Sequence, residues 1–230
     1  MLRRSFICRV RSLIMTNTKR RQLLTMGLFG SAGSWIHQQF VRADTPHVPP
    51  TPREIEGPFY PITPQKDKDF DLTHVDGRRD AAKGKVIEVS GTVVDENGQP
   101  IEDATVEIWQ ANAAGRYAHP HDSNPAPIDP NFQGWATVLS GGQGGFRFRT
   151  VMPGSYPASS NWDRPPHIHF KVTKRGFLEL ITQMYFPDHP LNKKDRLLAR
   201  KSPEEQKLMI AETLDPDSSH YQYKIILANV

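Results

Sequence analysis

Cysteine is almost absent from this sequence, since its 230 residues contain only Cys8. We expect Cys8 to be removed with an N-terminal leader, which leaves the remaining chain without cysteine. Such a chain forms no disulfide and offers no thiolate as a metal ligand or as a catalytic nucleophile. Any metal ion would therefore be held by histidine, tyrosine, aspartate or glutamate side chains.

Acidic residues are absent from the first 43 positions, which hold eight of the 29 basic residues and none of the 25 acidic ones. The formal net charge of +4 therefore becomes −4 once these positions are set aside. A basic domain, or a basic patch interleaved with aromatic residues, would indicate nucleic-acid binding. The sequence after position 43 has neither feature, so we expect no nucleic-acid partner.

The basic start has the order of an export signal. Three basic residues at positions 19–21 precede an apolar run at 23–36, and residues 41–43 suit a signal peptidase. Paired arginines are typical of the twin-arginine type of leader. The apolar run is too short and too rich in glycine for a stable membrane span. With Met1 or Met15 as the start, we predict that residues 1–43 direct export to the bacterial periplasm. A disordered basic tail or a membrane anchor is the alternative.

Short segments of strand composition fill most of the chain after residue 85. Twenty prolines and sixteen glycines imply many turns and loops. Ser202 can cap a helix that has Pro203 in its first turn and runs to about Leu214. This pattern predicts an all-β fold, a β-sandwich with large loops and a short C-terminal helix. We assign residues 44–84 to an extended arm and residues 85–230 to the sandwich domain. The predicted strands are 86–94, 104–109, 134–139, 146–151, 167–173, 179–186 and 221–227.

Two histidines, His167 and His169, stand two positions apart in an apolar segment of strand character. Side chains at positions i and i+2 of a strand project from the same face, so both imidazoles can reach one metal ion. Tyr117 and Tyr156 lie upstream, each two residues after a glycine. Phenolate is a hard anionic donor that favours Fe(III). Two histidines and two tyrosines around one ion would therefore form a ferric site, which implies oxygen chemistry.

Each of these residues also has a structural explanation when it is taken alone. A His-x-His pair is common in strands, a tyrosine after Pro-Gly suits a turn, and a loop tyrosine is often merely half-buried. His119 and His121 are also two apart, but they lie in a proline-rich loop, where we expect them to be solvated or peripheral. The histidine pair and the tyrosine pair could therefore have purely structural roles. The same holds for Arg164 as a surface residue and for Trp109 and Trp162 as core residues.

The ordered combination of motifs is more specific than any one of them. Together they resemble the intradiol ring-cleavage dioxygenases, over a region from about Glu56 to the C-terminus. Within that family, the catalytic subunit of the protocatechuate-cleaving branch is the most similar. The segments that carry the resemblance are WQANAAGRY (109–117), DPNFQG (129–134), PGSYP (153–157), RPPHIHF (164–170) and ITQMYF (181–186).

The resemblance implies that Tyr117, Tyr156, His167 and His169 bind one non-haem Fe(III) ion. It implies a catechol substrate, which O2 cleaves between the two hydroxylated carbons to a cis,cis-muconate-type dicarboxylate. Tyr156 would leave the iron when the substrate chelates it, while Tyr117 would stay. The resemblance further implies an oligomer, formed by copies of this chain or with a related subunit. Expected around the substrate are Arg164 over the ring, Gln183 near the reacting oxygen atoms, Trp109 as a wall, and Tyr60 or Arg116 near a ring substituent.

Two departures from the family pattern lie near the expected rim of the pocket. Ala158 follows Tyr156 and Pro157, where relatives often have tryptophan, and Trp162 and Asp163 stand in reverse order before the arginine. These changes leave the four ligand residues in place, but they bear on which ring substituent the pocket would accept. The alternatives are a non-enzymatic, transthyretin-like β-sandwich binding module and a metal-free subunit that supports a catalytic partner. A binding module would not need all of these residues together.

Overall fold

A computed structural model describes residues 47–63, 65, 67–214 and 219–230 of the chain. The predicted export signal, residues 1–43, lies outside the described residues, so its role stays a prediction. No helix in the described part of the chain has the length and apolar character needed to cross a membrane.

Ten strands and one short α-helix make up most of the regular structure. Two 3₁₀ turns, Pro190–Lys194 and Leu198–Arg200, precede the helix α1, Pro203–Met209. The strands are β1 (Val86–Asp95), β2 (Thr105–Trp109), β3 (Trp135–Leu139), β4 (Gly145–Val151), β5 (Tyr156–Ser159), β6 (Trp162–Arg164), β7 (His167–Thr173), β8 (Leu180–Tyr185), β9 (Glu212–Thr213) and β10 (His220–Leu227).

The strands form two four-stranded sheets, which confirms the predicted all-β sandwich. One sheet has the order β4-β1-β10-β9 and the other has the order β3-β2-β7-β8, while β5 and β6 form a separate ribbon. All pairs are antiparallel except β1 with β10, which is parallel. The aromatic ring of Phe170 in the second sheet lies 6.0 Å from that of Phe148 and 5.2 Å from that of Tyr223 in the first. The core therefore lies between the two sheets.

Alternation of side chains explains why these segments pair as strands. In β4, Phe146 and Phe148 are buried in the core, whereas Arg147 and Arg149 between them are exposed. A period of two residues puts all apolar side chains of such a strand on one face. The same alternation made seven strands predictable to within two residues at each end.

The helix is shorter than the sequence predicted. Ser202 caps it as expected, by a capping box with Glu205, but α1 ends at Met209 and not near Leu214. After Met209 the backbone becomes extended, because it forms hydrogen bonds with strands of both sheets. The backbone N–H of Ala211 donates to the carbonyl of Tyr185 at 2.9 Å, and β9 pairs with β10. The β5–β6 ribbon was also missed, because its strands are too short to show a period.

The arm, residues 44–84, has neither helix nor strand in its described part, yet it is tied to both sheets. Thr51 exchanges two hydrogen bonds with Ile226 of β10. Its N–H donates to the Ile226 carbonyl at 3.0 Å, and its hydroxyl accepts from the Ile226 N–H at 2.8 Å. The hydroxyl of Thr182 in β8 donates to the carbonyl of Pro52 at 2.7 Å. These buried bonds fix the segment that follows, residues 55–60, over the second sheet.

Replacing Thr51 by valine tests whether this attachment contributes to stability. Thr51→Val keeps the shape but removes the acceptor of the buried Ile226 N–H, and an unsatisfied buried donor costs about 1–3 kcal/mol. We expect the free energy of unfolding in urea to fall by that amount. Thr51→Ser is the matched control, because it keeps the acceptor and loses one methyl group. A valine variant as stable as the serine variant would contradict the attachment.

Candidate metal centre

The register of β7 places five polar or aromatic side chains on one face of the second sheet. His169 pairs with Trp109 of β2 and with Gln183 of β8, and His167 pairs with Tyr185 of β8. Residues directly opposite each other in antiparallel strands point to the same face. Ile168 between them and Phe170 after them face the core, so both histidines are directed to the outer face of this sheet.

Two glycines allow the two tyrosines to approach this face from separate loops. A Cβ atom on Gly115 would collide with the backbone of the turn before Tyr156, and one on Gly154 would collide with the backbone nitrogen of Gly115. The carbonyl of Asn112 accepts hydrogen bonds from the N–H groups of both glycines, at 2.9 Å each. The Tyr117 loop and the Tyr156 turn are therefore packed directly against each other.

The four predicted ligands meet at one place. The Tyr117 hydroxyl lies 3.1 Å from His169 Nε2, and the Tyr156 hydroxyl lies 3.5 Å from His167 Nε2. The two imidazole ring centres are 5.0 Å apart, and the two phenol ring centres are 5.7 Å apart. Tyr117 and both histidines are buried, whereas Tyr156 is half-buried. Two phenol oxygens and two imidazole nitrogens thus face one another.

Burial sets the protonation of these four groups. It lowers the pKa of His169 to about 3 and that of His167 well below its ordinary value, so both imidazoles are neutral. It raises the pKa of Tyr117 and of Tyr156, so without a compensating cation both phenols keep their protons. The positive charge of Arg164 lowers all four pKa values. It therefore favours phenolate and neutral imidazole, which are the ligating forms of both groups.

The histidine rings are held by different contacts. His167 Nδ1 lies 2.7 Å from the carbonyl of Pro165 and donates its hydrogen to it, which leaves the lone pair on Nε2. The His169 ring stacks on Trp109, with centroids 4.8 Å apart and planes inclined by 14°. The contact with Pro165 directs the lone pair of His167 Nε2 toward the Tyr156 hydroxyl, and stacking on Trp109 fixes the ring plane of His169, whose Nε2 faces the Tyr117 hydroxyl.

Arg164 is part of a buried network that sequence reasoning found only in part. Its Nε donates to Asp195 at 2.7 Å, and its Nη2 donates to Gln183 Oε1 at 2.6 Å and to the Tyr185 hydroxyl at 3.0 Å. The Tyr185 hydroxyl in turn donates to Asp195 at 3.2 Å. Tyr185 could have been found from its spacing of two from Gln183. Asp195 follows β8 in a loop without periodicity, and gave no signal.

A cavity of about 430 Å³ opens beside the four donor atoms. Arg164, Tyr156 and His169 line it, together with the arm from Ile55 to Phe59. Of the two tyrosines, Tyr156 is among the residues that line the cavity, whereas Tyr117 is not. A ligand in the cavity would therefore meet Tyr156 first.

Three residues that were expected around the substrate do not line this cavity, so their contact with substrate stays a prediction. Trp109 lies behind His169, and Tyr60 donates its hydroxyl to Glu107 at 2.8 Å, so neither lines the cavity. Gln183 is fully buried and also outside the lining. Its oxygen accepts from the arginine, and its Nε2 donates to the carbonyl of Ile55 at 3.1 Å. Trp109 and Gln183 flank His169 on the outer face of the second sheet, so they support a residue of the cavity wall without lining the cavity themselves.

The remaining candidates lie apart from the donors. Arg116 donates through Nη1 to the carbonyl of Ala126 at 2.7 Å and does not line the cavity. The rings of His119 and His121 are 5.2 Å apart in the loop before β3, the His119 ring lies 5.8 Å from that of Phe59, and neither histidine lines the cavity. No group of three or more histidine, cysteine, aspartate or glutamate side chains in the described ranges is arranged to hold a metal. A set of two phenolates and two imidazoles, by its donor chemistry, suits Fe(III).

Comparison with known proteins decides the family. The model of the family described as Dioxygenase matches residues 55–229. The protocatechuate 3,4-dioxygenase beta chain of Burkholderia cepacia is 37% identical over 180 residues, which are 74% of this chain and 76% of that protein. The chain belongs to the intradiol ring-cleavage dioxygenases. It is therefore an enzyme, an oxidoreductase of the dioxygenase class, and the expected resemblance is confirmed.

Two further dioxygenases are similar to this chain. Catechol 1,2-dioxygenase 1 of Acinetobacter lwoffii is 33% identical over 154 residues, which cover 61% of this chain and 48% of that protein. The chain thus spans about half the length of that relative. The dioxygenase domain of a dioxygenase–carbohydrate-binding fusion from Streptomyces sp. SirexAA-E superimposes with a TM-score of 0.60 at 26% identity, over 79% of this chain and 100% of that one.

Replacing Asp195 by asparagine tests the buried ion pair with Arg164. Removing one partner leaves an uncompensated buried charge, which costs about 3–5 kcal/mol. We expect the free energy of unfolding of Asp195→Asn to fall by that amount in urea denaturation. In the double variant Arg164→Gln/Asp195→Asn neither charge remains buried without its partner. Its free energy of unfolding should therefore fall by less than the sum of the falls in the two single variants. Fully additive losses would contradict the coupling.

Proposed function

We propose that this chain binds one non-haem Fe(III) ion through Tyr117, Tyr156, His167 and His169. With it, the chain cleaves a catechol by O2 between the two hydroxylated carbons, which yields a cis,cis-muconate-type dicarboxylate. The observation that carries the proposal is the convergence of two phenol oxygens and two imidazole nitrogens beside one cavity. The names of the Burkholderia and Acinetobacter relatives support a catecholic substrate.

The chemistry that ferric iron supplies when bound is activation of a chelated catechol toward O2. The protein residues divide the remaining tasks. Tyr156 lines the cavity and is half-buried, so it would be the ligand that a substrate could displace, and its phenolate oxygen could then accept a proton from a substrate hydroxyl. Tyr117 is buried and outside the lining, so it stays a ligand. This assigns different roles to two residues of the same type.

Arg164 supplies a fixed positive charge at the cavity wall. Three of its hydrogen bonds hold the guanidinium in place, and Nη1 makes none with the described residues. A preorganised cation stabilises negative charge that develops on a bound catechol, without reorganisation during the reaction. Gln183 and Asp195 act through Arg164, as residues that position it.

Removing one histidine ligand tests the iron site directly. We expect His169→Ala to lose the tyrosinate-to-iron band in the visible spectrum, and to lower iron affinity by more than about tenfold, since even outer contacts of ligands matter that much. Iron content by metal analysis provides a second measurement. His121→Ala is the matched control and should keep both colour and iron. A coloured, iron-replete His169→Ala protein would refute the proposed ligand set.

We also propose that the chain is exported to the periplasm by the twin-arginine route, and that it works in an oligomer. The paired arginines support the first idea, because that route accepts folded proteins and so allows iron to be bound before export. The designation of the Burkholderia relative as a beta chain supports the second, with copies of this chain or a related subunit as partners.

Replacing Arg20 and Arg21 by lysine tests the export route. The variant keeps the charge of the leader but removes the paired arginines. We expect the protein to accumulate in the cytoplasm, as measured by cell fractionation and immunoblotting. Substitution of Arg3 and Arg4 by lysine serves as the control, and should leave export intact. Unchanged periplasmic protein in the Arg20→Lys/Arg21→Lys variant would exclude this route.

A further inference from the structure

The cavity beside the metal centre is lined mainly by apolar side chains. The arm contributes Ile55 and Phe59, the β5–β6 ribbon contributes Ala158 and Trp162, and the segment after β8 contributes Leu197. At about 430 Å³, the cavity falls in the size range of pockets that bind ligands larger than a single ring. A catechol with a further ring substituent can therefore be accommodated, and the substituent meets an apolar wall.

Charge in the cavity wall is unfavourable to an anion. Among the described residues that line the cavity, Arg164 is the only lysine or arginine, and its charge is compensated by Asp195 at 2.7 Å. Asp122 adds a carboxylate to the same wall. Its oxygens accept from the backbone N–H groups of Tyr117 at 2.7 Å and Asn124 at 2.9 Å. An anionic substituent would therefore share the wall with the Asp122 carboxylate, while the one cation of the lining is already paired with Asp195.

A second arginine lies near the cavity but is directed elsewhere. The guanidinium carbon of Arg196 is 5.4 Å from the centre of the Trp162 ring, and its Nη2 donates to the carbonyl and side-chain oxygens of Asn161 at 3.1 and 2.9 Å. Arg196 is not in the lining. Trp162 thus presents its ring to the cavity, while this cation is occupied outside it.

We propose that the cavity selects catechols whose ring substituent is uncharged and apolar over catechols that carry a carboxylate. The inference rests on the proposed function and names the substrate class of that site. A carboxylate would lose its water against apolar side chains and would share the wall with Asp122, which is costly. An alkyl group would instead bury apolar surface against Ile55, Leu197 and Trp162. The preference would distinguish this chain from a protocatechuate-cleaving enzyme.

Steady-state kinetics of the iron-loaded protein test the selectivity. We expect kcat/KM for 4-methylcatechol to exceed that for protocatechuate by roughly tenfold or more, with unsubstituted catechol between them. Equal or faster turnover of protocatechuate would overturn the selectivity while leaving ring cleavage intact. Turnover of none of the three, in a protein without the visible iron band, would overturn the proposed function as well.

A charge introduced in the wall separates electrostatics from size. Ile55 is 54% exposed, so the fold should tolerate Ile55→Lys, and the new cation should raise kcat/KM for protocatechuate by about fivefold. Ile55→Gln is a polar control of similar length without charge, and should not raise it. Equal values for the two variants would contradict the electrostatic basis. A wild-type preference for protocatechuate that disappears in Arg196→Ala would show that Arg196 turns into the cavity, and would also overturn the proposal.

Discussion

The position of β7 between β2 and β8 is the constraint on which both the core and the metal centre depend. Alternate residues of this strand serve different environments, because Ile168 and Phe170 pack in the core while His167 and His169 face outward. A shift of register by one residue would exchange the two sets. The two histidines are thus fixed by the same pairing that buries the hydrophobic side chains, and a correctly folded sandwich already contains half of the donor set.

Burial and charge act differently on the two kinds of donor. Burial alone favours neutral imidazoles, which bind metal, but also neutral phenols, which bind it poorly. Arg164 favours the ligating form of both, and it is itself buried, so it needs Asp195 to compensate its charge. The loop after β8 is therefore connected electrostatically to the donors, although Asp195 does not belong to the four donors.

The position of a residue could be predicted from the sequence where the residue belongs to an alternating strand pattern or to an ordered series of motifs. Strand alternation predicted the two sheets, and the order of the tyrosine and histidine motifs predicted which four side chains meet. Asp195 could not be predicted, since a single acidic residue in a loop has no pattern and its partner is 31 positions away. Trp109 and Tyr60 lie outside the cavity lining, because motif order does not define which side of a ring faces a cavity, and their contact with substrate stays a prediction. The end of α1 was missed because its last predicted turn pairs with the sheets instead.

Chemistry and selectivity are carried by different parts of this chain. Two of the four proposed metal ligands lie on β7 at the centre of a sheet, where a substitution would disturb core and site together. The cavity wall is built from the irregular arm, the two-stranded ribbon and a loop, which can change without altering the register of β7. The hydrogen bond from Gln183 to the carbonyl of Ile55 joins the two parts, because it fixes the arm relative to Arg164. Such an arrangement allows one ring-cleaving centre to be combined with walls that accept different ring substituents.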